Sequence, residues 1–312
     1  MADDQARTRA GLLLGLGAYL LWGVLPLFFK AIDHVPATQI VAHRVVWSLL
    51  FLALLTVIGR RWSHLRRALA TPKVLGVLAL TAVLIGANWL IWVWAVVNGH
   101  VLEGSLGYYL NPLVNVVLGV VLLRERLSRG QMFAVALAAA GVAVLAIGAG
   151  GALWISLSLA ASFALYGFLR KITPVEALEG LLIETSLLAP LALGWILFVQ
   201  SRGDGQLGLD LGTDLMLTLA GAATAIPLLL FTAAAKRLPY STLGFLQYIA
   251  PSLQFLLAVL LFGEKLTVPH IICFGAIWTA LVIFAGEGVR RGRAAARARD
   301  AAACPEPCGV PH

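Results

Sequence analysis

The chain has 312 residues, 60% of them hydrophobic and only 12% charged. A soluble domain carries roughly 25% charged residues, so this composition excludes an ordinary soluble enzyme or binding module and points to an integral membrane protein. A net charge of +8 would suggest nucleic acid in a soluble chain, but in a membrane chain the placement of the charges matters more than their sum, and no nucleic-acid partner is expected.

A bilayer-crossing helix needs about 20 apolar residues, and on that ruler ten spans are predicted in chain order. The first, 11–32, carries Tyr19, Trp22 and Pro26. The second, 37–59, contains His43 and Arg44; a charge near mid-bilayer costs at least ~2.5–3.5 kcal/mol, so Arg44 needs a partner or a wet cavity. The third, 74–97, offers Asn88 and Trp92 one turn apart, with Trp89 and Trp94 nearby. The fourth, 103–123, places Tyr108, Asn111 and Asn115 on one face. Pro112 adjoins that face and removes a backbone hydrogen bond. The fifth span, 129–148, has no polar stripe. The sixth, 151–170, brings Ser162 and Tyr166; the seventh, 175–199, Glu184 and Pro190; the eighth, 213–235, Pro227. The ninth, 240–263, repeats the amide-and-proline arrangement with Gln247, Tyr248, Pro251 and Gln254. The tenth, 267–286, again lacks a stripe, so the fifth and tenth read as outer supports. Residues 287–312 read as a disordered basic tail. Its Cys304 and Cys308 resemble a metal pair only loosely, and neither metal nor cofactor is expected.

The positive-inside rule orients the chain. With residues 1–10 in the cytoplasm, all of the 23 Lys and Arg residues except Lys30, Arg202, Lys265 and Arg44 fall on inner segments. Both termini are therefore expected to be cytoplasmic.

The two halves echo each other. At a constant offset of 139, residues 111–127 and 250–266 share Pro112/Pro251, Leu118/Leu257, Leu122/Leu261 and Glu125/Glu264. "LLWG" (20–23) answers "ALYG" (164–167), and "SLG" (105–107) answers "TLG" (242–244). Each half, 11–148 and 151–286, holds five helices, an odd number, so the second must enter the membrane inverted. The expected fold is an all-α membrane protein of ten transmembrane helices in two inverted five-helix repeats. Such repeats mark secondary transporters, whose site lies near the midplane where the halves meet.

The segments "HRVVWS", "NWLIWVWAVVNGHVLEGSLGYYLNPLVNVVLG", "LYGFLRK", "IETSLLAP" and "LQYIAP" together resemble the RarD-type permeases, a branch of the EamA-like drug/metabolite transporter superfamily. The resemblance runs through about 11–286 and leaves the tail outside. It implies a ten-helix inner-membrane carrier, with relatives that export amino acids and other small metabolites. The RarD-type label is chloramphenicol-related, which does not fix the natural substrate.

The amides of the fourth and ninth spans either line a path or staple helices together. Prolines 26, 112, 227 and 251 are candidate hinges. Glu184 lies 140 residues after Arg44, and their estimated depths differ by roughly 7 Å in a core about 30 Å thick. Three roles fit such a pair: an ion pair welding the halves, Arg44 as receptor for a substrate carboxylate, or Glu184 as a proton-coupling carboxylate, with His43 assisting a proton path. A channel, a sensor or an intramembrane enzyme are the rival classes, but no HExxH or nucleophile elbow is present. The expected partners are the lipid bilayer, a small amphiphilic solute and a proton as candidate coupling ion; the oligomeric state stays open.

Overall fold

The computed structural model describes residues 2–123, 129–148, 152–235, 237–238 and 246–303, all helix, turn or coil with no strand among them. The helices are α1 (Ala2–Lys30), α2 (Ala37–Ile58), α3 (Trp62–Leu69), α4 (Pro72–Val97), α5 (Val101–Leu123), α6 (Arg129–Gly148), α7 (Leu153–Ile172), α8 (Ala177–Ser201), α9 (Leu211–Ala235), α10 (Ile249–Leu256) and α11 (Val268–Ala303). α10 continues into a π-helical turn, Leu257–Leu261. Among the described residues, seven helices are long and apolar enough to cross a membrane, and Ile249–Leu261 and Val268–Ile283 are shorter apolar helices.

The breaks follow local chemistry. Pro36 precedes α2 and Pro72 opens α4, where a missing N–H costs nothing. α4 ends at Gly99, whose positive φ of 73° lets His100 N–H reach back to the Ala95 carbonyl at 2.7 Å. α8 ends alike at Gly203, with Asp204 N–H bonded to the Val199 carbonyl.

Two expectations change. The connection after Arg61 contains a helix, α3, too short and too basic to register on a ruler made for membrane spans. The segment from Glu287, read as disordered, continues as helix to Ala303, in keeping with the high helix propensity of its Ala and Arg residues. Residues 304–312, with Cys304 and Cys308, lie outside the described residues, as do 239–245 and 124–128.

The chain divides into two compact units: 1–115 with 152–265, and 116–151 with 266–312. In the second, α6 packs along α11, with Gly141 so close to the Cys273 backbone that a Cβ there would lie 2.7 Å from the Ala276 Cβ. These are the spans expected to lack polar stripes.

In the first unit, the packed pairs include α2–α8, α1–α9, α4–α7, α2–α9, α1–α10, α4–α8, α2–α4 and α1–α4. Exposed leucines and isoleucines such as Leu54, Ile58, Leu191 and Leu197 cover the outward faces, as a lipid solvent requires. Helices approach through small residues: Gly221 of α9 lies against the Trp47–Ser48 backbone of α2, and the Ser48 hydroxyl donates to the Gly221 carbonyl. α2 and α8 run antiparallel, as their ends show. Gln39, near the start of α2, donates to the Asp204 carbonyl beyond the end of α8 at 2.9 Å. Arg61, beyond the end of α2, pairs with Glu179 near the start of α8 at 3.0 Å.

Candidate substrate site

The polar side chains of the first unit gather into two buried clusters at different depths. Arg44, 4% exposed, anchors one. Its Nε donates to the Thr224 hydroxyl of α9 at 2.6 Å, and Thr224 donates onward to the Ala220 carbonyl. The guanidinium lies over the Trp89 ring, 4.6 Å from its centroid, and 5.5 Å from that of Phe29. These contacts suit a weakly hydrated planar cation. The Arg44 Nη1 finds no hydrogen-bond partner among the described residues, and Arg44 makes no ion pair among them. His43 is buried beside it in sequence.

Glu184, fully buried, anchors the second cluster. Thr81 of α4 donates to its Oε1 at 2.6 Å, the Tyr166 hydroxyl to its Oε2 at 3.2 Å, and Arg170 Nε lies 3.6 Å from Oε1. Arg170 also donates to the Glu176 carbonyl and packs on Gly180, where any side chain would displace it.

The expected approach of Arg44 to Glu184 is therefore replaced by a Glu184–Arg170 pair. The reason is depth. Trp89 meets Arg44 and Thr81 meets Glu184, and eight residues of α4 separate them, which is ~12 Å of helix rise. α8 begins at Ala177 rather than 175, which lowers Glu184 away from Arg44. Arg170 is inconspicuous in the sequence, because it ends a span and fits a count of inner-face charges. Its signal was present: it sits one turn after Tyr166 on the same helical face.

Aromatic side chains join the clusters. Trp92 packs edge-on against Tyr108 at 5.2 Å, Tyr108 against Phe163 at 5.8 Å, and Phe163 against Tyr166 at 6.2 Å. Gly104 permits this, because Trp92 lies where its Cβ would be. Asn88 donates to Ser162 at 3.0 Å and to the Leu159 carbonyl at 3.2 Å, and accepts from Tyr108 at 3.4 Å. Asn88 thus ties α4 to α7 and α5.

The remaining expected residues lie elsewhere in this unit. Trp22 joins Tyr19 and Phe231 in an aromatic group. Its carbonyl, which Pro26 four residues on leaves without an N–H partner, accepts from Gln254 at 3.0 Å. Tyr248 stacks on Tyr109 at 6.3 Å, and Gln247 is half-buried. The oxygens of Asn111 and Gln254 are buried with no partner among the described residues. Pro26, Pro227 and Pro251 lie inside helices that stay continuous through them. The side chains of Pro112 and Asn115 lie outside the described residues.

Both ends of α2 and α8 are fastened. At the basic end, Arg61 bridges Glu176 at 2.7 Å and Glu179 at 3.0 Å. These carboxylates hold the Arg61 guanidinium above its ordinary pKa. A vestibule of about 370 Å³ opens there, lined by His64, Arg67, Glu176 and Glu179 together with apolar Val74 and Val175. At the other end, the Gln39 amide donates to the Asp204 carbonyl and accepts from the Gln206 N–H. An apolar groove of about 310 Å³ between α2, α4 and α8, lined by Val41, Leu90, Leu188 and Trp195, contains neither Arg44 nor Glu184.

A model of the EamA-like transporter family matches residues 9–147. "Protein RarD" of Escherichia coli strain K12 is 48% identical over 287 residues, which cover 92% of this chain and 97% of the relative. An "uncharacterized transporter" of Vibrio cholerae is 46% identical over 300 residues, covering 96% of this chain and 99% of the relative. A "chloramphenicol-sensitive protein RarD" of Pseudomonas aeruginosa is 36% identical, covering 92% of this chain and 97% of the relative. A solved crystal structure 21% identical in sequence superposes with a TM-score of 0.56 over 88% of this chain and 96% of its own, a likeness of fold. A multi-pass helical chain with a buried polar core and these relatives belongs to the EamA-like transporter family, in its RarD-type branch.

Proposed function

We propose that this transporter is a secondary carrier that moves a small amphiphilic solute across the cytoplasmic membrane by alternating access. One observation carries the reading: a buried polar and aromatic core lies between two fastened ends. The fastenings occupy corresponding positions, because Gln39 and Glu179 are separated by 140 residues, as are Arg44 and Glu184. The end closed by Arg61 and Glu179 carries the Lys and Arg excess and is the cytoplasmic one on the positive-inside rule. Opening one fastening while keeping the other exposes the core to one side at a time.

Ten spans in two inverted halves fit the packing. Exchanging α1 with α7, α2 with α8 and α4 with α9 turns the pair α1–α9 into α7–α4 and α2–α9 into α8–α4 and leaves α2–α8 as itself, whereas the lesser pairs α2–α4 and α1–α4 have no comparable counterpart among the described residues. The antiparallel sense of α2 and α8 agrees with inversion. Glu184 is the candidate proton-coupling group: protonation removes the charge that holds Arg170, and Arg170 contacts the segment that carries the cytoplasmic fastening. The aromatic walls suit amino acids or aromatic drug-like solutes, and the name of the Pseudomonas relative keeps the latter in view. Export is the direction drawn from the family resemblance.

Counterflow in proteoliposomes tests this reading. A carrier gives saturable exchange of a labelled solute against the same solute trapped inside, accelerated by it over an empty lumen. Flux proportional to concentration, with no trans-acceleration, marks a pore and ends the proposal.

A further inference from the structure

Among the described residues, the Arg44 cluster holds a cation without a matching charge. Arg44 is 4% exposed, uses one nitrogen on Thr224, and leaves Nη1 without a partner among the described residues. Arg170, only partly buried, also leaves its Nη1 without a hydrogen-bond partner among the described residues, but its charge faces Glu184. A desolvated guanidinium with an open N–H edge attracts a planar anion, because bidentate charge-assisted hydrogen bonds replace the water it lost.

We propose that Arg44 is the receptor for the anionic group of a small aromatic monocarboxylate. The inference rests on the carrier reading above and names the chemical class of its solute. Three features select the class. The first is charge: one guanidinium with no ion pair among the described residues balances a single negative charge, whereas a phosphate dianion would leave net charge buried, and Arg170 is already engaged by Glu184. The second is shape, since the planar fork of Arg matches a carboxylate better than a compact ammonium would. The third is the walls. Trp89 and Phe29 flank the guanidinium, and about one turn along α4 Trp92 packs against Tyr108 of α5, which in turn meets the exposed Phe163 of α7. A flat apolar body lies against such rings in offset or edge-on contact. Thr224 accepts from the Nε side of the guanidinium, and Nη1 has no partner among the described residues.

The probes are phenylacetate, its neutral isostere phenylacetamide and the cation phenethylamine, titrated into the purified full chain in detergent and read by tryptophan fluorescence. Phenylacetate is expected to bind saturably, tighter than phenylacetamide by at least about tenfold, the lower end for a charge-assisted hydrogen bond. Arg44→Gln is expected to remove that preference, and Arg44→Lys to keep part of it because the charge remains. The acid-against-amide comparison on the unaltered protein needs no variant, so a poorly folding Arg44→Gln does not blunt the test. Equal affinity for acid and amide, a preference for the amine, no saturable binding, or an anion preference that survives Arg44→Gln overturns the proposal. Binding in detergent requires no transport cycle. Anion-selective binding without counterflow refutes the carrier and leaves the receptor, whereas counterflow of other solutes without anion selectivity refutes the receptor and leaves the carrier.

Discussion

At the scale of single residues, the guanidiniums of buried Arg44 and partly buried Arg170 are held by different means and should respond differently to substitution. Arg170 answers Glu184 across 3.6 Å with side-chain exposures of 13% and 0%. Removing the charge alone, in Glu184→Gln, leaves Arg170 buried and unbalanced, and should lower stability by about 3 kcal/mol, the low end for breaking a buried pair. Adding Arg170→Met should return part of that loss, because a buried pair replaced by apolar groups is often neutral. Chemical denaturation of the two single variants and the double variant in detergent measures this. A double variant as unstable as the two single effects added together would show that the groups are not coupled. The sequence made Arg44 and Glu184 conspicuous but could not say which cation serves Glu184. Partner choice depends on depth and rotamer across helices, and the ~12 Å between Thr81 and Trp89 on α4 decides it.

At the scale of helices, backbone chemistry explains contacts that side-chain polarity alone does not. Pro26 frees the Trp22 carbonyl, and the Gln254 amide satisfies it. Gln254→Leu should therefore destabilise by about 1–3 kcal/mol, the cost of a buried unsatisfied acceptor. Pro26→Ala should rescue it, since alanine restores the helix's own N–H to that carbonyl. Thermal unfolding of the single and double variants checks the pair, and a double variant worse than Gln254→Leu would refute it. Glycine roles separate in the same way. Gly104→Ala meets the Trp92 ring, whereas Gly76 has nothing within 4 Å of an added Cβ. The first should lose about 1–3 kcal/mol by overpacking, and the second should gain roughly 0.5–1 kcal/mol from lower backbone freedom. At the start of α9, the exposed Asp210 carboxylate accepts from the Thr213 N–H at 2.8 Å, which holds its pKa below the ordinary value. A depressed folded pKa means that this cap contributes above the usual carboxylate range and is lost as pH falls through the folded value. Slowed exchange of the Thr213 amide should fade over that acidic window. Seven of the membrane-length helices were legible, because runs of about 20 apolar residues leave little alternative in a bilayer, whereas the ninth expected span, 240–263, is described only as the shorter apolar helix Ile249–Leu261. α3 and the helical continuation to Ala303 were not, since a span ruler ignores short amphipathic helices and a composition rule mistakes an Ala/Arg-rich helix for coil.

At the scale of the molecule, the proposed repeat relates the two ends at which α2 and α8 are fastened. The 140-residue offset that links Arg44 to Glu184 also links Gln39 to Glu179, the side chains that fasten opposite ends of α2 and α8. The fastenings are chemically unequal: the basic end uses a doubly bridged arginine, the other an amide on backbone groups. A charge-based latch weakens with salt more than an amide latch does, so the two ends should open under different conditions. The most direct test is side-specific labelling of Ser162→Cys, whose hydroxyl now bonds Asn88 in the core, with Cys273, Cys304 and Cys308 replaced by serine. In oriented vesicles, Arg61→Ala should raise labelling by a membrane-impermeant thiol reagent from the cytoplasmic face only, and Gln39→Ala from the opposite face only. Labelling from both faces in either variant, or unchanged labelling in both, would contradict alternating access through these two ends.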